Sequence, residues 1–136
     1  MDFSLDATQC ALRDRVQDFA RREVAPLAAA LDVEPHSLDA LLPRFAELGL
    51  FGTTLPSSLS GAGAARLAQV LVVEELATAC AASAAILSVQ TSLVVETLFR
   101  HGDAAQQAAH LADLRQGRRL GCFAFAEADQ EGDSPA

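Results

Sequence analysis

The sequence predicts an all-α fold, an up-down bundle of five to six helices followed by a short extended arm. Three observations predict it. Residues 64 to 101 carry apolar side chains on more than one face at helical spacing, the pattern of two consecutive helices at the centre of a domain. The composition is 51% hydrophobic but only 5% aromatic, with neither Trp nor Tyr, so the core is built from Ala, Leu and Val and suits close helix packing. Capping and turn residues also stand where each periodic stretch stops, among them Asp6, Pro26, Ser37, Gly49, Gly102, Asp103 and Gly117.

Residues 8 to 23 form the first amphipathic helix, with Leu12, Val16, Phe19 and Ala20 on one face and Arg13, Asp14, Gln17 and Arg21 on the other. Asp6 or Thr8 caps it, and Pro26 ends or kinks it because proline cannot donate to the preceding turn. A further turn or two runs to Asp32. Ser37 is placed to cap a second helix with Leu38, Leu41, Leu42, Phe45 and Leu48 inward, and Pro43 inside it implies a bend or a later start. Residues 50 to 63 are a loop dense in Gly, Pro and Ser.

In the first central helix Leu67, Val70, Leu71, Glu74 and Ala77 follow the i, i+3, i+4, i+7 rows. Val72, Val73 and Leu76 widen the stripe, so cover on most sides is expected. A join at Ala81 to Ser83 leads to the second, whose apolar Ile86, Leu87, Val89, Leu93, Val94, Leu98 and Phe99 are interrupted by Ser88, Gln90, Thr91, Ser92 and Glu96. A buried helix with that many polar side chains either satisfies them internally or lines a cavity. Gly102 closes it, and Asp103 caps a last helix that ends at Gly117. Residues 119 to 126 have the pattern of one short strand, and the polar tail after them is expected to fray. The division expected is a helical domain over 1–118 and an arm with its tail over 119–136.

Net charge is −8, which opposes binding to phosphate backbones and anionic membranes. All ten basic residues are Arg, scattered except for Arg21-Arg22 and Arg118-Arg119. Cys10, Cys80 and Cys122 lie far apart without CxxC spacing and read as buried reduced thiols, with no metal site. The N-terminus has neither the charge nor the apolar run of a signal peptide, and the apolar runs read as breaking before membrane-spanning length, so a cytoplasmic protein is expected.

Taken together these segments resemble the N-terminal helical domain of the acyl-CoA dehydrogenases, in order and over almost the whole chain. The opening MDFSLDATQCALRDRVQDFARREVAPLAAALD is similar to the family's first helix and its VAP break, AELGLFGTTLP with SGAG to its helix-loop signature, and VVEELATACAASAAILSVQTSLV to its EELA segment and SV-x-x-SL helix. HGDAAQQAAHLADLRQG resembles the FG-x-x-x-Q helix, and LGCFAFAEAD the LGCFALTEPD strand that opens the flavin site.

The resemblance implies an FAD enzyme of acyl thioesters in which this domain supplies a wall of the acyl pocket and part of the flavin site. The catalytic glutamate usually lies in a later domain, so dehydrogenation by this chain alone is not expected. Substrate-wall residues implied are Ser88, Gln90, Thr91, Ser92 and Val95; flavin-edge residues are Phe123, Phe125, Ala126, Glu127 and Asp133. The family's T-E-P-x-A-G-S-D here runs from Ala126 to Asp133, and Ala126 in place of Thr removes a hydroxyl donor to the flavin. Tyr-Gly of the upstream loop is Leu59-Ser60.

Among acid-base candidates, Glu96 falls on the polar side of the second central helix, Glu74 on the row of Val70 and Leu71 where partial burial is expected, and His101 at a helix end. The bland alternatives are back-bonded Ser and Thr hydroxyls, a solvated Glu96 and a His101 that stabilises a helix C-terminus. Three functions remain open from the sequence: part of an FAD-dependent acyl-CoA dehydrogenase, a free-standing acyl- or polyketide-binding protein or flavin-free cyclase or lyase, and a helical interaction module. The apolar surface of the central helices also calls for cover by a second copy or by a larger acyl-CoA dehydrogenase-type subunit.

Overall fold

The structure, a computed structural model, describes residues 4–59 and 66–124. Among the described residues seven α-helices, some joined by π or 3-10 turns, make five rods. The first rod begins with α1, Ala7–Phe19, whose start is a capping box: Asp6 accepts the N–H of Gln9 at 2.8 Å while the Gln9 side chain accepts the N–H of Asp6 at 3.0 Å. It passes through a π-helical turn, Ala20–Val24, and a 3-10 turn holding Pro26 into α2, Ala28–Val33. The break expected at Val24-Ala25-Pro26 is therefore a change of helical winding rather than an end.

The second rod is α3, Leu41–Glu47, preceded by a 3-10 stretch, Pro35–Ala40. This is the later start that Pro43 implied: the proline sits third in α3, where its missing N–H has no intrahelical partner to lose. The capping position is thus Ala40 rather than Ser37. Gly49 adopts φ 71° just after the helix, as a C-terminal glycine should.

The third rod is α4, Arg66–Ala79, and the fourth comprises α5, Ala81–Ser88, a π-helical turn, Val89–Val95, and α6, Glu96–His101. The join between them is Cys80 alone, extended at φ −159° and ψ 110°. Ala81 to Ser83 are already the first turn of α5, so the expectation of a three-residue join is corrected. The fifth rod is α7, Ala104–Arg115, opened by a second capping box between Asp103 and Gln106.

Two cores result. In the first, Phe45 stacks edge-on against both Phe19 and Phe51, each at 5.8 Å, and Val16, Val24, Leu41, Val72, Leu76 and Leu87 fill the space between α1, α3, α4 and α5. Burying each such side chain contributes about 1.5–3 kcal/mol before cavity effects. A two-pronged ion pair, Arg44 Nε and Nη2 to Glu23 Oε2 and Oε1 at 2.7 and 2.9 Å, holds α3 to the first rod. In the second core Leu55, Val95, Leu111 and Leu114 join the fourth rod to α7.

Two further expectations are corrected, and an open one is narrowed. The stretch 119–126 has the pattern of a strand that must pair with another chain, lie along the helices as an extended arm, or not form; its described part, 119–124, makes no strand, Gly121 spends its N–H on a side chain, and no partner strand lies among the described residues. Cys122 is exposed and Cys10 half-buried; only Cys80 lies in the core, because the two others fall on the arm and on the rim of α1. The rod Ala81–His101, 21 residues with mean hydropathy 1.4, is long and apolar enough to cross a membrane by length and composition. Polar residues between Ser88 and Ser92 suggested an interruption, but the π turn keeps the helix continuous, and it packs against α4 and α7.

Candidate functional site

The fourth rod runs antiparallel to α4, and three facing pairs fix the register. Arg66 Nη2 donates to Glu96 Oε1 at 3.0 Å, Gln69 Nε2 donates to Ser92 Oγ at 2.5 Å, and Val73 with Glu74 lies across from Ser88. Between the rods opens a groove of about 660 Å³. Val70 and Val73 form its apolar wall, while Ser88, Ser92 and Glu96 form the opposite one.

The expectation that α4 is covered on most sides fails here: Leu67 and Val70 are exposed, because no element lies over that side among the described residues. Glu74, expected to be partly buried, is also exposed on the groove rim; its neighbour Glu75 is the more covered of the two and accepts from Gln17 at 3.2 Å.

Glu96 is the charged centre of the groove. Its side chain is only 8% exposed, and one oxygen accepts from Arg66 and also from Arg100 Nε at 2.7 Å. The two guanidiniums are 76% and 54% exposed. Glu96 is therefore paired with both arginines rather than solvated.

The residues expected to line a pocket divide between two faces. Ser88 and Ser92 line the groove. Gln90, Thr91 and Val95 turn the other way and are buried. Gln90 Nε2 donates to the carbonyls of Leu114 and Arg119 at 2.9 and 3.1 Å, and its Oε1 accepts the N–H of Gly121 at 2.9 Å, so it ties α7 and the arm to the π turn. Thr91 Oγ1 donates to the carbonyl of Leu50 at 3.5 Å, and Val95 belongs to the second core. The cause is the winding: in a turn closed by i→i+5 bonds each residue advances through a smaller angle, so positions 88, 92 and 96 stay aligned while 91 leaves their face.

His101 is exposed at the end of α6, outside the groove. Of the expected flavin edge, Phe125, Ala126, Glu127 and Asp133 lie outside the described residues. Phe123 is described and is 47% exposed on the arm beyond Gly121.

Arg66 and Gln69 line the groove without having been expected to, Val70 and Val73 were expected as core rather than as groove wall, and Arg100 stands beside the groove through its bond to Glu96. The Glu96–Arg100 spacing of four was a readable signal for an ion pair. Arg66 and Gln69 needed the antiparallel register.

The profile described as "Acyl-CoA dehydrogenase, N-terminal domain" matches residues 6–118. The chain belongs to the acyl-CoA dehydrogenase family. The mitochondrial short-chain specific acyl-CoA dehydrogenase of Mus musculus is 36% identical over 132 residues, covering 97% of this chain and 32% of that protein. The short-chain specific acyl-CoA dehydrogenase of Clostridium acetobutylicum is 32% identical over 136 residues, covering all of this chain and 36% of its own.

Among solved structures, butyryl-CoA dehydrogenase from Megasphaera elsdenii superposes with a TM-score of 0.80 at 30% identity, over 98% of this chain and 36% of that one. A glutaryl-coenzyme A dehydrogenase in its glutaryl-CoA complex gives 0.87 at 29% identity, over 98% and 34%. This acyl-CoA dehydrogenase family chain thus spans about a third of the length of the relatives it matches. Its five rods correspond to the helical domain at their N-terminal end.

Proposed function

We propose that the chain supplies the helical wall of an FAD-dependent acyl-CoA dehydrogenase-type site, against which an acyl thioester lies, and that dehydrogenation needs groups beyond the described residues. The observation that supports this reading is the family match over 6–118 combined with an open groove whose apolar side, Val70 and Val73, faces Ser88 and Ser92. A pocket of a few hundred Å³ with an apolar wall along one side gives an acyl chain a surface to lie on, and the polar groups opposite fix its orientation. Glu96 is occupied by Arg66 and Arg100, so the α-proton is left to a base from elsewhere in the assembly.

Calorimetry with decanoyl-CoA tests the wall: binding at one site that Val70→Asp abolishes is expected, and no binding by the folded chain overturns it. A dye-reduction assay tests competence, with turnover expected only after a flavin-bearing partner of the same enzyme class is added.

A second reading is favoured by one observation: among the described residues, the lining of the groove comes from α4 and the fourth rod of a single chain. Under it the protein binds an acyl or polyketide-like ligand without redox chemistry, and Glu74 on the groove rim is the available base for an elimination or cyclisation. A purified chain with acyl ligand affinity that gives no dye reduction even with a flavin-bearing partner of the acyl-CoA dehydrogenase class selects this reading over the first.

A further inference from the structure

The groove carries charge of opposite sign at its two ends, and that asymmetry carries information about what fits it. At the Arg66 end two guanidiniums meet one carboxylate, leaving one net positive charge on a chain whose total is −8. Each arginine is joined to Glu96 through a single nitrogen, Nη2 of Arg66 and Nε of Arg100, and a guanidinium carries five N–H donors in all. Moving along the groove, Val70 and Val73 provide apolar contact, and Glu74 at the far end brings a negative charge.

Glu96 has a definite part in this arrangement. Buried and fixed, it holds two long exposed cations in one place and removes much of the entropy that an anion would otherwise have to take from them. An arginine pair arranged in this way favours a planar, two-oxygen acceptor over a hydroxyl or an amine.

We propose that the groove binds a free medium-chain carboxylic acid, its carboxylate on Arg66 and Arg100 and its alkyl chain along Val70 and Val73 toward Glu74. From Arg66 to Val73 the helix rises about 10 Å, roughly the length of an extended eight- to ten-carbon chain. The far carboxylate of Glu74 makes the site selective for monoanions, since a second negative end would meet a like charge. The ligand is the acid rather than its thioester, so the inference does not depend on a flavin or on dehydrogenation.

Isothermal calorimetry with decanoate, decanol, sebacate and decanoyl-CoA tests it on the full chain. Decanoate is expected to bind at one site, with decanol and the ten-carbon dicarboxylate sebacate at least tenfold weaker. Arg66→Gln, a change at an exposed position that leaves the helix content by circular dichroism unaltered, is expected to weaken decanoate about tenfold, and Glu74→Gln to recover sebacate. Decanol binding as tightly as decanoate, or an unchanged affinity in both Arg66→Gln and Arg100→Gln, overturns the proposal. Decanoyl-CoA binding without decanoate overturns it while sparing the thioester reading; decanoate binding without decanoyl-CoA does the reverse.

Discussion

The side-chain oxygen of Gln90 accepts the backbone N–H of Gly121 at 2.9 Å while its amide nitrogen donates to two carbonyls, those of Leu114 and Arg119. One buried amide on the π turn thus fixes both the end of α7 and the first residues of the arm. Gln90→Ala removes all three bonds, leaves the Arg119 carbonyl and the Gly121 N–H without this partner and opens a hole in a buried position, and is expected to cost about 2–4 kcal/mol by urea unfolding. Gln90→Glu is expected to cost more at neutral pH, because its carboxylate faces two carbonyl oxygens. An alanine variant as stable as the parent would mean that the clamp is incidental.

Gly121 has a steric reason to be glycine. A Cβ there would sit 2.4 Å from Cγ1 of Val94. Gly121→Ala is therefore expected to destabilise by about 1–3 kcal/mol. Adding Val94→Ala opens the space the methyl needs, so the double variant is expected to lose less than the sum of the two singles. Strict additivity in that cycle would show that the arm moves aside instead.

Arg66 and Arg100 both serve one buried carboxylate, so their losses should not add. Either guanidinium alone still neutralises Glu96, and each single change to Gln is expected to cost under about 1 kcal/mol. The double change strands a buried charge and is expected to exceed about 3 kcal/mol. Equal and additive small losses would indicate that Glu96 gains access to water on its own.

Acid stability should report the Glu23–Arg44 pair. The hydrogen bonds from Arg44 hold the Glu23 carboxyl below its ordinary value, and the adjoining positive charge adds to them. A carboxylate depressed in the folded state contributes stability that is complete above its unfolded value and is lost as pH falls through the folded one. Arg44→Met is therefore expected to lower stability at pH 7 but hardly at pH 2, narrowing the difference between the two conditions. A constant offset across that range would exclude the linkage.

The helical rods were legible because their signals are local. Asp6 with Gln9, Asp103 with Gln106, Gly49 and Pro43 mark ends through bonds to residues within a few positions. The groove was half legible: Ser88, Ser92, Glu96 and Glu74 stood out as polar residues on apolar helices, whereas Arg66 and Gln69 matter only through partners 30 and 23 residues away. The division of Ser88 and Ser92 from Gln90 and Thr91 was not legible at all. It follows from a π turn, and the periodicity of apolar side chains from Val89 to Val95 is satisfied nearly as well by an ordinary α-helix. The arm read as a strand because alternation specifies an extended chain without specifying what it pairs with; here Gln90 takes the place a neighbouring strand would have.

The wide turn at Val89–Val95 makes the length of this helix a functional variable. Each residue of the wide turn advances through less than the roughly 100° of an ordinary α-helix, so one amino acid could be removed there with Glu96 still facing Arg66. A deletion within α4 has no such slack and would part the two, so a single-codon length change is tolerable in the wide turn and damaging in the helix across from it.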